Sequence, residues 1–458
     1  MKLIDKNEGY VAAAGLSIFG RYDKKMENKD NIYDKIKDLI LSYCNKSLYC
    51  YARGISEQHG FRELKHNKSI TRDMLRRKNY NDLTKEMVLY IDSGGFQCAL
   101  GYIKKSQLDL YIDTYCEFLI ENCEHYDWAF SLDMPPFDNL FLDADDMFKI
   151  NIDSYIRLFG NLPQHVREKL IFVKHFRTPS QYDVWNRIIN NKEVMSGFES
   201  NYWSVGGIVA NLTGEHFIPY ISYCIPFSEI FKWCLENDRK EVTIHILGGC
   251  SYRDIMYYIF AKRYAELKLG LVVHFTYDST SLARQVLLGR YVYIINENGR
   301  MGKCSFKSDQ LKDKVQGMTV NDWIYKCMRD VCEYADIDIE MPKNIYGEKN
   351  LNPVAEMLVV TYQVHLFKKM SDIYEKIAYS MTLEEMENQD YFDSKIIDVL
   401  FGINDHRYSR KFRSKTNNFH RSVMYLATGD KENNRKVINY YMAKDELKFI
   451  NDVSVDTF

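Results

Sequence analysis

Three carboxylates stand where an apolar run stops: Asp92 in Met87-Val-Leu-Tyr-Ile-Asp92, Asp133 in Asp127-Trp-Ala-Phe-Ser-Leu-Asp133, and Asp278 in Leu271-Val-Val-His-Phe-Thr-Tyr-Asp278. An acid brought by a strand to a tight turn can serve as nucleophile, as general acid or base, or as acceptor for ring N–H groups. Asp92 is followed by Ser93, Gly94, Gly95 and Phe96. The glycines let backbone N–H groups approach a ligand closely, and Phe96 sets an aromatic face beside them. A lone aspartate in such a place is commonly only a turn or cap residue, so chemistry requires the acids to meet.

The elements that would bring them together recur along the chain. Short apolar runs ending in polar or glycine-containing turns begin at Leu48, Met87, Asp127, Leu170, Trp203, Thr243, Leu271 and Tyr291, eight in all. Helically spaced segments such as Gln107–Ile120 and Tyr252–Tyr264 lie between them. Alternating strand and helix predicts an α/β protein, a (β/α)8 TIM barrel over residues 48–300, with an open doubly wound sheet as the alternative. In a barrel, Asp92, Asp133, Lys174, Gly207, Gly249 and Asp278 share one mouth although they are far apart in sequence. Residues 1–47 read as a lead-in. Residues 301–458 read as a C-terminal helical region, in which Pro353–Met370 has the pattern of an amphipathic helix packed on the barrel.

The bulk properties bound the partners. Across 458 residues the net charge is −2, so any nucleic acid must be met by a local basic patch. The segment His406–Lys415 carries five Lys or Arg in ten residues, among them Arg407, Arg410, Lys411 and Arg413. It reads either as a solvated charged face or as a phosphate-contacting patch. Eleven cysteines without a paired framework, several inside apolar runs (Cys98, Cys116, Cys224, Cys234), suit buried thiols in a reducing cytoplasm. The apolar stretch Val11–Phe19 is preceded by Asp5 and Glu8 and has nine residues. That is short of the ~20 a membrane span needs, so no membrane is expected.

Taken together, Asp92-Ser-Gly-Gly-Phe-Gln97, Ala129-Phe-Ser-Leu-Asp133-Met-Pro-Pro, Val205-Gly-Gly-Ile208, Ile246-Leu-Gly-Gly249 and Phe275-Thr-Tyr-Asp278-Ser-Thr-Ser-Leu-Ala-Arg284 resemble, in order, the motifs of the tRNA-guanine transglycosylase superfamily. The resemblance covers roughly Tyr90 to Met370. It implies a barrel enzyme that exchanges guanine for a 7-deazaguanine, with Asp278 as the nucleophile at C1′ and Asp92 as the general acid and base. It implies a base pocket in which Asp133 accepts from N1–H and the 2-amino group. Backbone at Gly206, Gly207 and Ile208 would serve the carbonyl edge, Phe96 and Leu247 would sandwich the ring, and Ser93, Gly94, Lys174 and Gly248 would complete the lining.

Departures from the pattern shift the expected substrate. Lys174 stands where the tRNA enzymes usually carry glutamine. Of two arginines that read neighbouring uridines, Arg284 matches the first and Leu287 replaces the second. The family's zinc site is degraded: Cys327 and Cys332 keep the outer spacing, Arg329 sits at the middle ligand, and His365 is the nearest downstream histidine. No metal ligand is therefore assigned, and the implied chemistry needs no cofactor. The losses fall on features that contact or brace tRNA, which resembles the DNA-modifying branch, the 7-deazaguanine DNA transglycosylases. DNA and a base such as 7-cyano-7-deazaguanine are the expected partners, with a helper protein for strand opening; superfamily members often pair, but the sequence assigns no oligomeric state. The alternatives are a tRNA transglycosylase, a non-catalytic nucleic-acid-binding subunit, and a sugar-phosphate barrel enzyme whose glycine turns cradle phosphate.

Overall fold

The computed structural model describes residues 9–11, 46–52, 88–135, 143–174, 183–185, 187–188, 201–206, 221–249, 252–278, 291–295, 301–305, 320–334, 336, 338, 353–392, 394–395, 419–420 and 423–424. The strands are β1 (Gly9–Val11), β2 (Lys46–Cys50), β3 (Val88–Asp92), β4 (Trp128–Phe130), β5 (Leu170–Lys174), β6 (Tyr202–Val205), β7 (Glu241–Ile246), β8 (Val272–Asp278), β9 (Tyr291–Ile295) and β10 (Met301–Ser305). Helices include α1 (Gly95–Ala99), α2 (Leu108–Glu121), α3 (Ala144–Asn161), α4 (Gln164–Arg167), α5 (Ile221–Glu236), α6 (Tyr252–Leu269), α7 (Val320–Tyr334), α8 (Pro353–Ser380) and α9 (Leu383–Glu387).

Strands β2 to β8 lie side by side in chain order, all parallel, and β1 adds parallel to β8 at the far edge. Side-chain alternation divides them between two cores. Leu89 and Ile91 of β3, Leu170 and Phe172 of β5, and Val273, Phe275 and Tyr277 of β8 face outward and join the helices in the large core. Val88, Tyr90, Phe130, Ile171, Val173 and Tyr202 face the other way and form a second, smaller core.

That second core shows the sheet to be curled. Neighbouring strands are ~4.8 Å apart, so β3 and β7, four strands apart, would stand ~19 Å apart in a flat sheet. Yet the rings of Tyr90 on β3 and His245 on β7 are 5.8 Å apart, and Tyr90 and Tyr202 share a hydrogen bond of 2.9 Å. Val11 of edge strand β1 and Leu48 of edge strand β2 belong to the same buried cluster.

The helices follow from apolar spacing. In α2, Leu108, Tyr111, Ile112, Tyr115, Cys116 and Leu119 are buried along one face. Helix α3 starts at Asp143, whose carboxylate accepts from Asp146 N–H at 2.6 Å and offsets the first free backbone donors. The expected helix from Pro353 is present and extends to Ser380, with Pro353 in its first turn, where no backbone donor is missed. Its Leu366, Phe367 and Met370 enter the large core, and Gln363 bonds both N–H and C=O of Tyr293. Among the described residues no helix is long and apolar enough to cross a membrane, and Cys98, Cys116, Cys224 and Cys234 are buried free thiols.

One expected strand is misplaced. Tyr291–Ile295 does not join the parallel sheet; it pairs antiparallel with Met301–Ser305. Only five residues, Asn-Glu-Asn-Gly-Arg, separate the two runs. A connection that short joins antiparallel neighbours, whereas a parallel crossover takes about a dozen or more. The eighth place in the sheet goes instead to Gly9–Val11, inside the stretch read as a lead-in.

Candidate active site

The site is built on the carboxyl ends of β3, β4, β6, β7 and β8. At the end of β3 the backbone turns through Gly94, whose φ of +79° is in the left-handed region that favours glycine. The Gly94 N–H donates to Asp92 Oδ1 at 3.1 Å, holding the carboxylate over its own turn. Ser93 is buried; its hydroxyl accepts from Asp133 N–H at 3.3 Å and its carbonyl accepts from the Tyr111 hydroxyl on α2. A Cβ on Gly95 would lie 1.8 Å from the Asp133 carbonyl oxygen, so the β3 turn rests directly on the backbone at the end of β4. Two expected site segments are thereby locked together. Phe96 follows at the start of α1 with 42% of its surface exposed, an aromatic face turned to solvent at the site's edge.

Asp133 reaches across to β6. A Cβ on Gly206 would lie 2.7 Å from Asp133 Oδ1 and 3.0 Å from Val173 Cγ1, so this carboxylate occupies the space that a side chain at 206 would fill. On the opposite side, Gly248 (φ +74°) presents its N–H to Asp278 Oδ1 at 2.8 Å. Leu247 packs against the inner core next to it.

Asp278 is buried and bound on a second side by His245, whose Nε2 lies 3.3 Å from Oδ1. The His245 Nδ1 is 2.9 Å from Thr276 Oγ1, which is 2.8 Å from the Tyr202 hydroxyl. His245 lies outside every motif quoted from the sequence, and Thr276, although inside the Asp278 segment, was given no role there. Their signal was the alternation itself, since Thr243, His245, Thr276 and Asp278 occupy inward positions in strands whose outward positions are apolar.

The acids sense one another. Asp92 is pushed up from 3.8 to about 6, chiefly by burial, against the lowering effect of the Gly94 N–H and the Cys50 thiol; Asp133 and Asp278 add to the rise. A group with this value gives up and takes back a proton near neutral pH, as a general acid and base must.

Not every expected residue is in the mouth. Lys174 has the outward parity of Leu170 and Phe172, is fully buried, and forms an ion pair with Glu229 of α5 between sheet and helix. The expectation that it lines the base pocket is corrected: a terminal strand residue shares the mouth only on the inward register. Gly207, Ile208, Arg284, Arg407, Arg410, Lys411 and Arg413 lie outside the described residues.

Cys327 and Cys332 are the two residues that keep the outer spacing of the zinc motif. Both are buried on α7, five residues apart and so ~140° apart around the axis. Burial also raises both thiols, Cys332 to about 11, against the thiolate form that zinc requires. His365 on α8 faces the Tyr334 ring at 4.9 Å. Among the described residues no three potential ligands gather.

Compared with models of known protein families and with curated proteins, the sequence matches none.

Proposed function

We propose that the protein is a base-exchange transglycosylase that replaces guanine in DNA by a 7-deazaguanine, and that its curled sheet closes between β1 and β2 as a (β/α)8 barrel. Closure is supported by Val11 and Leu48, from the two edge strands, sharing one buried cluster. The observation that carries the functional reading is the trio of aspartates at the carboxyl ends of the strands, two of them in contrasting surroundings. Asp278 accepts from the Gly248 N–H and has His245 Nε2 at 3.3 Å, whereas Asp92 is held near 6 by burial and by its two acidic neighbours.

This contrast suits a two-step displacement. An Asp278 oxygen attacks C1′ of the target nucleotide, the C1′–N9 bond breaks, and its electron pair leaves with guanine, which takes a proton from Asp92. The incoming base then gives its N9 proton to the Asp92 carboxylate. Its N9 attacks C1′ and the ester bond to Asp278 breaks, returning both acids to their starting states. Asp133 accepts from the N1–H and 2-amino edge, which excludes adenine-like rings, and Phe96 and Leu247 cover the ring faces. In a duplex the nucleotide must first leave the stack, at a cost of a few kcal/mol. The choice of DNA over tRNA is supported by the sequence departures, Leu287 above all.

The test is incubation with radiolabelled guanine and with 7-cyano-7-deazaguanine, against duplex DNA, single-stranded DNA and tRNA. Label is expected in DNA and absent with Asp278→Asn. Label in tRNA alone would overturn the choice of DNA, and label in none of them would overturn the exchange reaction.

A further inference from the structure

A file of buried polar groups runs from Asp278 down through the inner core, across four strands. Tyr90 on β3 and Tyr202 on β6 share a hydrogen bond of 2.9 Å between their hydroxyls. Tyr202 meets Thr276 Oγ1 at 2.8 Å, Thr276 meets His245 Nδ1 at 2.9 Å, and His245 Nε2 reaches Asp278 Oδ1 at 3.3 Å. All five residues are buried, His245 and Thr276 completely. In an interior of low dielectric, a buried polar group without a partner is costly, so the protons of such a file are not placed at random.

Only one ordering satisfies every group when Asp278 is ionised and His245 is neutral. The carboxylate can only accept, so Nε2 carries the imidazole proton and Nδ1 must accept. Thr276 then donates to Nδ1 and must accept from Tyr202. Tyr202, having spent its one proton, accepts from Tyr90. Every O–H and N–H in the file points toward Asp278, and each bond polarises the next.

We propose that His245 is a positioning residue for the nucleophile, and that Thr276, Tyr202 and Tyr90 act through it by fixing its tautomer and aiming a polarised chain of donors at the Asp278 carboxylate. The inference rests on the base-exchange reading above. With Gly248 N–H on the same oxygen, Oδ1 is held by two donors, which leaves Oδ2 as the oxygen that attacks. The structure thereby assigns separate duties to the two carboxylate oxygens.

The experiment measures base exchange at saturating and subsaturating base for wild type, His245→Phe, Thr276→Val, Thr276→Ser, Tyr202→Phe and Tyr90→Phe, all in the full chain. Loss of the contact that orients the Asp278 carboxylate is expected to lower kcat by about 10²-fold in His245→Phe, with KM for the base little changed. Thr276→Val keeps shape but removes the proton that fixes Nδ1 as acceptor. A reduction in kcat on the order of tenfold is expected, because an imidazole free to take its other tautomer no longer holds a donor on Asp278, and Thr276→Ser should restore it. Tyr202→Phe and Tyr90→Phe should follow with progressively smaller losses.

Circular dichroism and thermal unfolding of each variant identify any that fail to fold; Thr276→Val against Thr276→Ser then decides the matter at constant fold. Wild-type activity in Thr276→Val and Tyr202→Phe, or losses that fall on KM and are not restored by serine, would overturn the relay while leaving base exchange standing. Absence of exchange in wild type itself would instead remove the reaction on which the relay depends.

Discussion

Asp92→Asn should make the protein more stable and less active, and the gain in stability should depend on pH in a defined direction. The carboxyl of Asp92 is raised from 3.8 to about 6, chiefly by burial. In the unfolded chain it ionises near its ordinary value, so between the two values the unfolded state holds fewer protons than the native state. Stability therefore falls as pH rises from about 4 to about 6 and stays lowered above that. A rise of roughly 2 units corresponds to about 3 kcal/mol at 1.36 kcal/mol per unit, and the partial opening of Asp92 to solvent trims this to about 2 kcal/mol. Asparagine has the same shape, keeps an oxygen for the Gly94 N–H, and carries no charge to desolvate. Denaturant titrations of wild type and Asp92→Asn at pH 8 and pH 4 would measure the difference. At pH 8 the variant should be more stable by about 2 kcal/mol, with little difference at pH 4, while base exchange is lost. Equal stability at pH 8, or a difference that grows on acidification, would refute the claim that Asp92 is held protonatable at a cost to the fold.

Gly95→Ala sets a methyl group 1.8 Å from the Asp133 carbonyl oxygen, a backbone atom that cannot rotate away, and should cost about 3 kcal/mol or more, seen as a large drop in thermal midpoint. Gly206→Ala instead meets the Asp133 carboxylate at 2.7 Å, a side chain that can swing aside. Its stability should change by no more than ~1 kcal/mol, while, on the proposed base-exchange reading, kcat/KM for the incoming base should fall about 10²-fold because Asp133 is displaced. Lys174→Met leaves the largely enclosed Glu229 carboxylate charged without its Lys174 partner, and should destabilise by about 3 kcal/mol in a chemical melt. Adding Glu229→Leu should restore most of that loss, with base exchange intact in the double variant.

Much of the sheet was legible because its strands carry the marks of their surroundings. Seven of the eight apolar runs are strands in the order expected, since apolar residues on both faces signal a sheet covered by helices on one side and curled over a core on the other. The miss at the sheet's edge has a physical cause. Gly9–Val11 is three residues long, too short for any period to emerge, and it takes its place by pairing with Thr276–Asp278, a contact nearly the whole sheet away in sequence. Tyr291–Ile295 has strong strand composition, but composition is silent on the partner; the short Asn-Gly-containing connection was the better guide.

The site divides along the same line. Asp92, Asp133 and Asp278 were visible because each ends an apolar run and precedes residues that turn a chain. Lys174 also ends a run, yet it faces outward, because its strand runs one residue further in register than an inward position allows. Parity along the strand, anchored on Ile171 and Val173 in the inner core, would have sent it to the helix layer and to Glu229. The same parity picks out His245 and Thr276, two polar residues at inward positions between outward isoleucines, valine and aromatics. A buried polar side chain persists only where a partner repays its desolvation. The inward polar positions of β7 and β8 therefore already implied that something at the mouth was being held, and Asp278 is the group that the file of hydrogen bonds reaches.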